Sequence, residues 1–91
     1  DLLIVKVRDI PEKAVKKANR ILAEGEATGH MHELDSGTVY ELNDVLYFRV
    51  NNDERTVLNH PEHGPIAFEP GEYKVIRQRE YEPSGWRKVA D

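Results

Sequence analysis

Short runs of β-branched, aromatic and leucine residues, separated by turn-forming residues, dominate the pattern along this chain. The clearest pair of runs flanks Asn43 and Asp44, and two turn formers between such runs are typical of a β-hairpin. Strands are predicted at residues 2–7, 38–42, 45–50, 55–59 and 72–79, and Ile66 and Phe68 precede a turn at Pro70 and Gly71. This pattern predicts a mainly β fold, a small antiparallel β-barrel or roll with at most one short helix.

Residues 10–23 fit two different predictions. Their apolar residues recur at the spacing of one helix face, which favours a helix over the whole segment. The alternative is a loop or short helical turn to about Asn19, followed by a strand that begins at Arg20. Local rules alone favour the helix, although we slightly prefer the loop followed by a strand.

Residues 22–34 show an unusual alternation. If they are extended, every second side chain projects from the same face of the strand. One face would carry only very small residues and Met31, which lets another strand approach closely. The other face would be entirely polar, with Glu24, Glu26, Thr28, His30 and His32. That polar face would either meet solvent or line a pocket.

The composition limits what this chain can do. Its 91 residues predict a single small β domain over residues 1–91 with a thin core, and pairing into a homodimer would bury additional apolar area. Cysteine is absent, so a metal would need imidazole nitrogen or oxygen ligands. We expect a cytoplasmic protein that does not enter a membrane, since no long apolar run is present.

Charge is unevenly distributed along the chain. The net charge is −4, and residues 24–72 contain eleven acids against two arginines. All four histidines lie in this acidic stretch, where a negative field favours a bound cation. Simple electrostatics disfavours nucleic acid as a partner at this net charge.

The four histidines form two close pairs, which makes them the strongest candidates for a functional site. On a strand, the His-x-His spacing of His30 and His32 places both imidazoles on one face. The His-x-x-His spacing of His60 and His63 suits a turn around Pro61. Imidazoles with a carboxylate are a reasonable ligand set for zinc, nickel, iron or manganese.

The candidate site therefore has all four histidines as metal ligands. Glu26 or Glu62 would act as a fifth ligand or as a catalytic base, and a bound metal could activate water. Two alternatives stay open: a metal-free pair of imidazoles could act as acid and base near their ordinary pKa, and the histidines could simply make structural hydrogen bonds.

A second constellation lies near the C-terminal end and predicts a binding module without catalysis. Alternation on one strand would place Tyr73, Arg77, Arg79 and Tyr81 on one face, where they could hold a phosphate or stack a base. Pairing of these arginines with acids on neighbouring strands is the simpler explanation.

Three segments resemble an uncharacterised family of small bacterial, archaeal and phage-borne proteins. Residues 25–32, 60–66 and 78–81 are similar to its GE-TGH-H, H-EHGPI and QREY motifs. The family often has glycine and proline where this chain has residues 10–17, so the resemblance implies a loop there. It implies no activity, although its phage-borne members suggest an accessory protein that acts on a partner as a further alternative.

Overall fold

The computed structural model describes residues 2–24, 31–59 and 64–77, and in these segments it contains nine β-strands and no helix. The strands are β1 (Leu2–Val7), β2 (Val15–Lys16), β3 (Ile21–Glu24), β4 (Met31–Leu34), β5 (Thr38–Leu42), β6 (Val45–Val50), β7 (Thr56–Asn59), β8 (Ile66–Phe68) and β9 (Gly71–Arg77). The predicted mainly β fold is confirmed.

The strands form two antiparallel sheets. The larger sheet has the order β1-β9-β6-β5-β2, and the smaller sheet has the order β3-β4-β7-β8. Among the described residues no strand pairing joins the two sheets, so they face each other across a core and do not close into a barrel. The arrangement is the small antiparallel β-domain that the sequence pattern predicts.

The hairpin between β5 and β6 forms around Asn43 and Asp44, as predicted. Both residues have positive φ, 52° and 67°, which is the conformation of a type I′ turn. The register pairs Leu42 with Val45 at the turn and continues without interruption to the pair of Thr38 with Arg49. The local turn chemistry therefore fixes the register of the two central strands.

The core is built from alternate residues of both sheets. Phe48 has no exposed surface, and its ring stacks on Tyr73 with the centroids 4.8 Å apart. Phe68 meets the Phe48 ring edge-on at 5.4 Å and so brings β8 of the smaller sheet against the larger one. The other buried apolar residues are Leu22, Leu34, Val39, Leu46, Val50, Leu58 and Val75.

The helix predicted as one alternative for residues 10–23 is wrong. Only a single turn forms, in which the Ala14 amide donates to the Pro11 carbonyl. Val15 and Lys16 then pair with β5, and the Lys17 amide donates to the Val39 carbonyl at 2.7 Å. These hydrogen bonds to a distant strand replace those of a helix, and the alternative of a loop followed by a strand is confirmed.

The single extended strand considered for residues 22–34 is also wrong. β3 and β4 are antiparallel partners, with Ala23 opposite His32 and Glu24 opposite Met31. The chain therefore reverses direction between Glu24 and Met31, and side-chain alternation cannot be carried from one strand to the other. Residues 25–30, including Glu26 and His30, lie outside the described residues.

Gly37 lies where the chain passes from the smaller sheet to the larger one. It adopts a φ of +90°, and a Cβ at this position would lie 2.7 Å from the Arg49 carbonyl oxygen. A side chain is excluded here by both the backbone conformation and the close contact with a rigid backbone atom. Glycine is therefore required for β5 to begin directly beside β6.

We expect Phe48→Ala to lower the free energy of unfolding by about 3–5 kcal/mol, because it removes the ring that both sheets contact. Val15→Ala is the matched control: Val15 is 67% exposed, so its change should stay within about 0.5 kcal/mol. Urea denaturation followed by circular dichroism measures both. Equal losses in the two variants would contradict a core centred on Phe48.

Candidate functional site

The pairing of β4 with β7 determines which parts of the chain meet in the smaller sheet. The register places Glu33 opposite Asn59 and Leu34 opposite Leu58. Because the strands are antiparallel, the beginning of β4 lies beside the end of β7. β4 begins directly after the position of His30, and β7 ends directly before the position of His60.

His32 lies on β4 and points to the core side of the smaller sheet. It is two residues from the buried Leu34 and so shares its face, while Glu33 between them is exposed. Both ring nitrogens of His32 are removed from solvent. A buried imidazole has its nitrogens held by protein groups or by an ion, since burial without a partner is costly.

A polar cluster ties the opposite end of β4 to the start of β7. Thr56 is completely buried. Its hydroxyl lies 2.8 Å from the Ser36 carbonyl and 3.1 Å from an Asp35 carboxylate oxygen. The same hydroxyl accepts a hydrogen bond from the Ser36 amide. Asp35 also accepts from the Val57 amide at 3.0 Å, and its own amide donates to the Val57 carbonyl. This cluster fixes the β4–β7 register.

Electrostatics in this cluster favours an ionised Asp35. The hydrogen bond from the Val57 amide is the largest cause that lowers the pKa of Asp35 below the ordinary value of 3.8, and hydrogen bonds from Thr56 and Ser36 act in the same direction. Burial opposes the shift. A carboxylate held ionised by backbone and hydroxyl donors is suited to a structural role rather than to acid catalysis.

The structure places only one of the predicted site residues. His32 is described; His30, His60, His63, Glu26 and Glu62 lie outside the described residues. Within residues 2–24, 31–59 and 64–77, no three histidine, aspartate or glutamate side chains are grouped so that they could hold a metal ion. The four-histidine metal site thus stays a prediction.

The alternative prediction of a surface binding face is wrong for Tyr73, which is buried. Tyr73 is 7% exposed and Val75 is 5% exposed, since their face of β9 packs on Phe48 and not on solvent. The Tyr73 hydroxyl donates to the Glu69 carbonyl at 2.7 Å, and burial, followed by the charge of Glu69, raises its pKa. Tyr73 is therefore unavailable to a surface ligand, and Arg79 and Tyr81 lie outside the described residues.

A second polar cluster, not predicted from the sequence, lies on the outer face of the larger sheet. Arg49 donates to a Glu72 carboxylate oxygen at 2.8 Å and to the Tyr40 hydroxyl at 3.2 Å, and its guanidinium lies 5.3 Å from the centre of the Tyr40 ring. The other Glu72 oxygen accepts from the Ile10 amide. Part of the signal was present in the sequence, because the two-residue Asn43–Asp44 turn pairs Tyr40 with Tyr47 and Thr38 with Arg49, which makes Arg49 a diagonal neighbour of Tyr40.

Comparison with known proteins gives a family and no activity. A family model described as Domain of unknown function (DUF8820) matches residues 1–78. No curated protein and no solved structure matches the chain. In the part of the chain that the structure describes, no helix has the length and apolar character needed to cross a membrane.

The lowered pKa of Asp35 predicts how its contribution to stability depends on pH. Because the pKa is lower in the folded protein than in the unfolded chain, the stabilisation is fully present above pH 3.8 and is lost as the pH falls through the folded value. Asp35→Asn should therefore be less stable than the unsubstituted protein at pH 6, and the difference should shrink below about pH 4.

Urea denaturation at a series of pH values from 6 to about 2.5 tests this, since it spans the aspartate titration. Asp53→Asn is the control, because Asp53 is exposed and its substitution should change stability little. A gap between Asp35→Asn and the unsubstituted protein that is as large at the lowest pH as at pH 6 would contradict the assignment.

Proposed function

The chain belongs to the family described as Domain of unknown function (DUF8820), which assigns no activity, and we propose from its own residues that the two histidine pairs form one binding site for a divalent transition metal. The ligands are His30, His32, His60 and His63. Glu26 or Glu62 serves as a fifth ligand or as a base.

The observation that carries this proposal is the antiparallel register of β4 and β7. Glu33 and Asn59 are cross-strand partners, and partners of this kind have Cα atoms about 4.5–5.5 Å apart. His32 precedes Glu33, and His60 follows Asn59. Since consecutive Cα atoms are about 3.8 Å apart, the Cα atoms of His32 and His60 are separated by at most about 13 Å.

Burial of His32 is a second argument for the same end of the sheet. An imidazole with both nitrogens removed from solvent has its ring held in one orientation. Metal-ligating histidines show this arrangement, with one nitrogen on the metal and the other fixed by a hydrogen bond.

The charge of the sequence segment that contains the histidines favours a cation over an anion as the ligand. Eleven acids and two arginines occupy residues 24–72, and a chain without cysteine offers nitrogen and oxygen ligands only. Such a donor set suits zinc, nickel, iron or manganese. A metal bound there would lower the pKa of a coordinated water and supply a hydroxide at neutral pH.

The first test is metal content by mass spectrometry on untagged protein purified without chelator. We expect close to one equivalent of metal, and its loss in both His30→Ala and His60→Ala, because each variant removes one ligand from a different pair. Glu33→Gln is the matched control: Glu33 is an exposed neighbour of His32 on the opposite face of β4, and its variant should keep the metal.

Thermal unfolding with and without added metal separates ligand loss from misfolding. Metal at about 100 times its Kd should stabilise the unsubstituted protein by about 2.7 kcal/mol and should leave the melting temperature of His60→Ala unchanged. Metal retained in both histidine variants would overturn the proposal. So would a protein that is purified without metal and melts at the same temperature with zinc, nickel, iron or manganese.

A further inference from the structure

The outer face of the larger sheet carries a row of basic and aromatic residues with no role in the core. The register of all five strands aligns one residue from each. In order across the sheet the row is Val5, Lys74, Tyr47, Tyr40 and Lys16. Two tyrosines therefore lie side by side between two lysines.

Burial shows that this row faces outward. Tyr47 lies between Leu46 and Phe48, which are both buried, and Tyr40 follows the buried Val39. Because successive side chains on a strand point to opposite faces, both tyrosines lie on the face away from the core. Each is half-buried by its neighbours in the sheet, so one part of each side chain stays available for contact.

The charge of this face is opposite to that of the whole chain. Its outward ionisable groups in the described strands are three cations, Lys16, Lys74 and Arg49, and one carboxylate, Glu72. Glu72 is paired with Arg49 at 2.8 Å, and Glu41 alternates to the other face of β5. The outward strand residues therefore have a net charge of +2, on a chain whose net charge is −4. Residues 8–14, whose Ile10 amide donates to Glu72 on this face, contain two cations and two acids and leave that balance unchanged.

Arg49 also orients part of the row. Its guanidinium lies 5.3 Å from the centre of the Tyr40 ring, a cation–π distance, and it donates to the Tyr40 hydroxyl. Tyr40 is thus held in place by a group that is itself fixed to Glu72. Tyr47 makes no such contact with a cation among the described residues.

We propose that this row binds single-stranded nucleic acid. A base stacks on Tyr47, with Tyr40 and Arg49 beside it, and Lys74 and Lys16 contact the phosphates on the two sides. Aromatic side chains interleaved with cations on an open sheet face are the elements that such binding uses. The row from Lys74 to Lys16 crosses three strand spacings, about 14 Å, which suits a short oligonucleotide.

A second copy of this chain fits the face less well. In a two-fold dimer the same patch meets itself, so the lysines of the two copies would be brought together in a partly desolvated interface. Like charges in an interface are costly. A polyanion instead neutralises both lysines and releases counterions.

The test is fluorescence anisotropy with labelled ten-nucleotide oligothymidylate and oligouridylate at low salt. The first probe is DNA and the second is RNA, so their affinities can be compared directly. We expect both to bind and Tyr47→Leu to weaken binding about 5- to 150-fold, the loss of one stacked base. Tyr47→Phe keeps the ring and should bind like the unsubstituted protein. Melting temperatures of the variants check that each is folded.

Lys74→Gln should weaken binding and lower the slope of log affinity against log salt by about 0.7, the value for one phosphate contact on a single strand. Lys6→Gln is the matched control, because Lys6 is exposed and is paired with the core-facing Tyr73, so it alternates to the other face of the sheet. Absence of binding at low salt would overturn the proposal, and so would binding that Tyr47→Leu and Lys74→Gln leave unchanged.

A dimer in sedimentation equilibrium that Tyr47→Leu dissociates would overturn it in favour of self-association. None of these outcomes depends on the metal, since the row and His32 belong to different sheets.

Discussion

The packing of the Phe48, Tyr73 and Phe68 rings between two sheets is the interaction on which the rest of the fold depends. Phe48 and Tyr73 come from the larger sheet and Phe68 from the smaller one, and the three rings contact one another at 4.8–5.4 Å. Each strand can supply only every second residue to such a core. The remaining residues of each strand are therefore free for other purposes, and the proposed nucleic-acid site on the larger sheet uses them, whereas His32 lies on the core side of the smaller sheet.

Local chemistry was sufficient to predict the central hairpin and insufficient to predict the edges of the sheets. Asn43 and Asp44 determine the turn and hence the register of β5 and β6, because the relevant interactions lie within a few residues. Val15 and Lys16 instead form a strand only because β5 offers them backbone partners. No periodicity within residues 10–23 records the presence of that distant strand, so local helix propensity predicted the wrong alternative.

The same distinction applies to the candidate sites. The pairing of histidines at 30 and 32 and at 60 and 63 is visible in the sequence, but the β4–β7 register that relates the two pairs is non-local and depends on the cluster around Asp35 and Thr56. The reversal between β3 and β4 was missed because the alternation of residues 22–34 was interpreted as that of one extended strand. Tyr73 was misassigned for a related reason: alternation shows which residues share a face, and only the packing shows that this face is buried. The Tyr40–Tyr47 pair, by contrast, followed from the predicted hairpin and was overlooked.

The two proposed sites are assigned to different sheets and would bind ligands of opposite charge, a metal cation and a nucleic acid. His32 belongs to the smaller sheet and the tyrosine row to the outer face of the larger one, although His32, Tyr40 and Tyr47 all lie within the acidic residues 24–72. Facing sheets pack about 10 Å apart, so the apolar core lies between a cation at one site and a polyanion at the other. A small β-domain with a net charge of −4 can present a cationic surface only if its acids are kept to other faces, and the alternation imposed by the core provides that separation here.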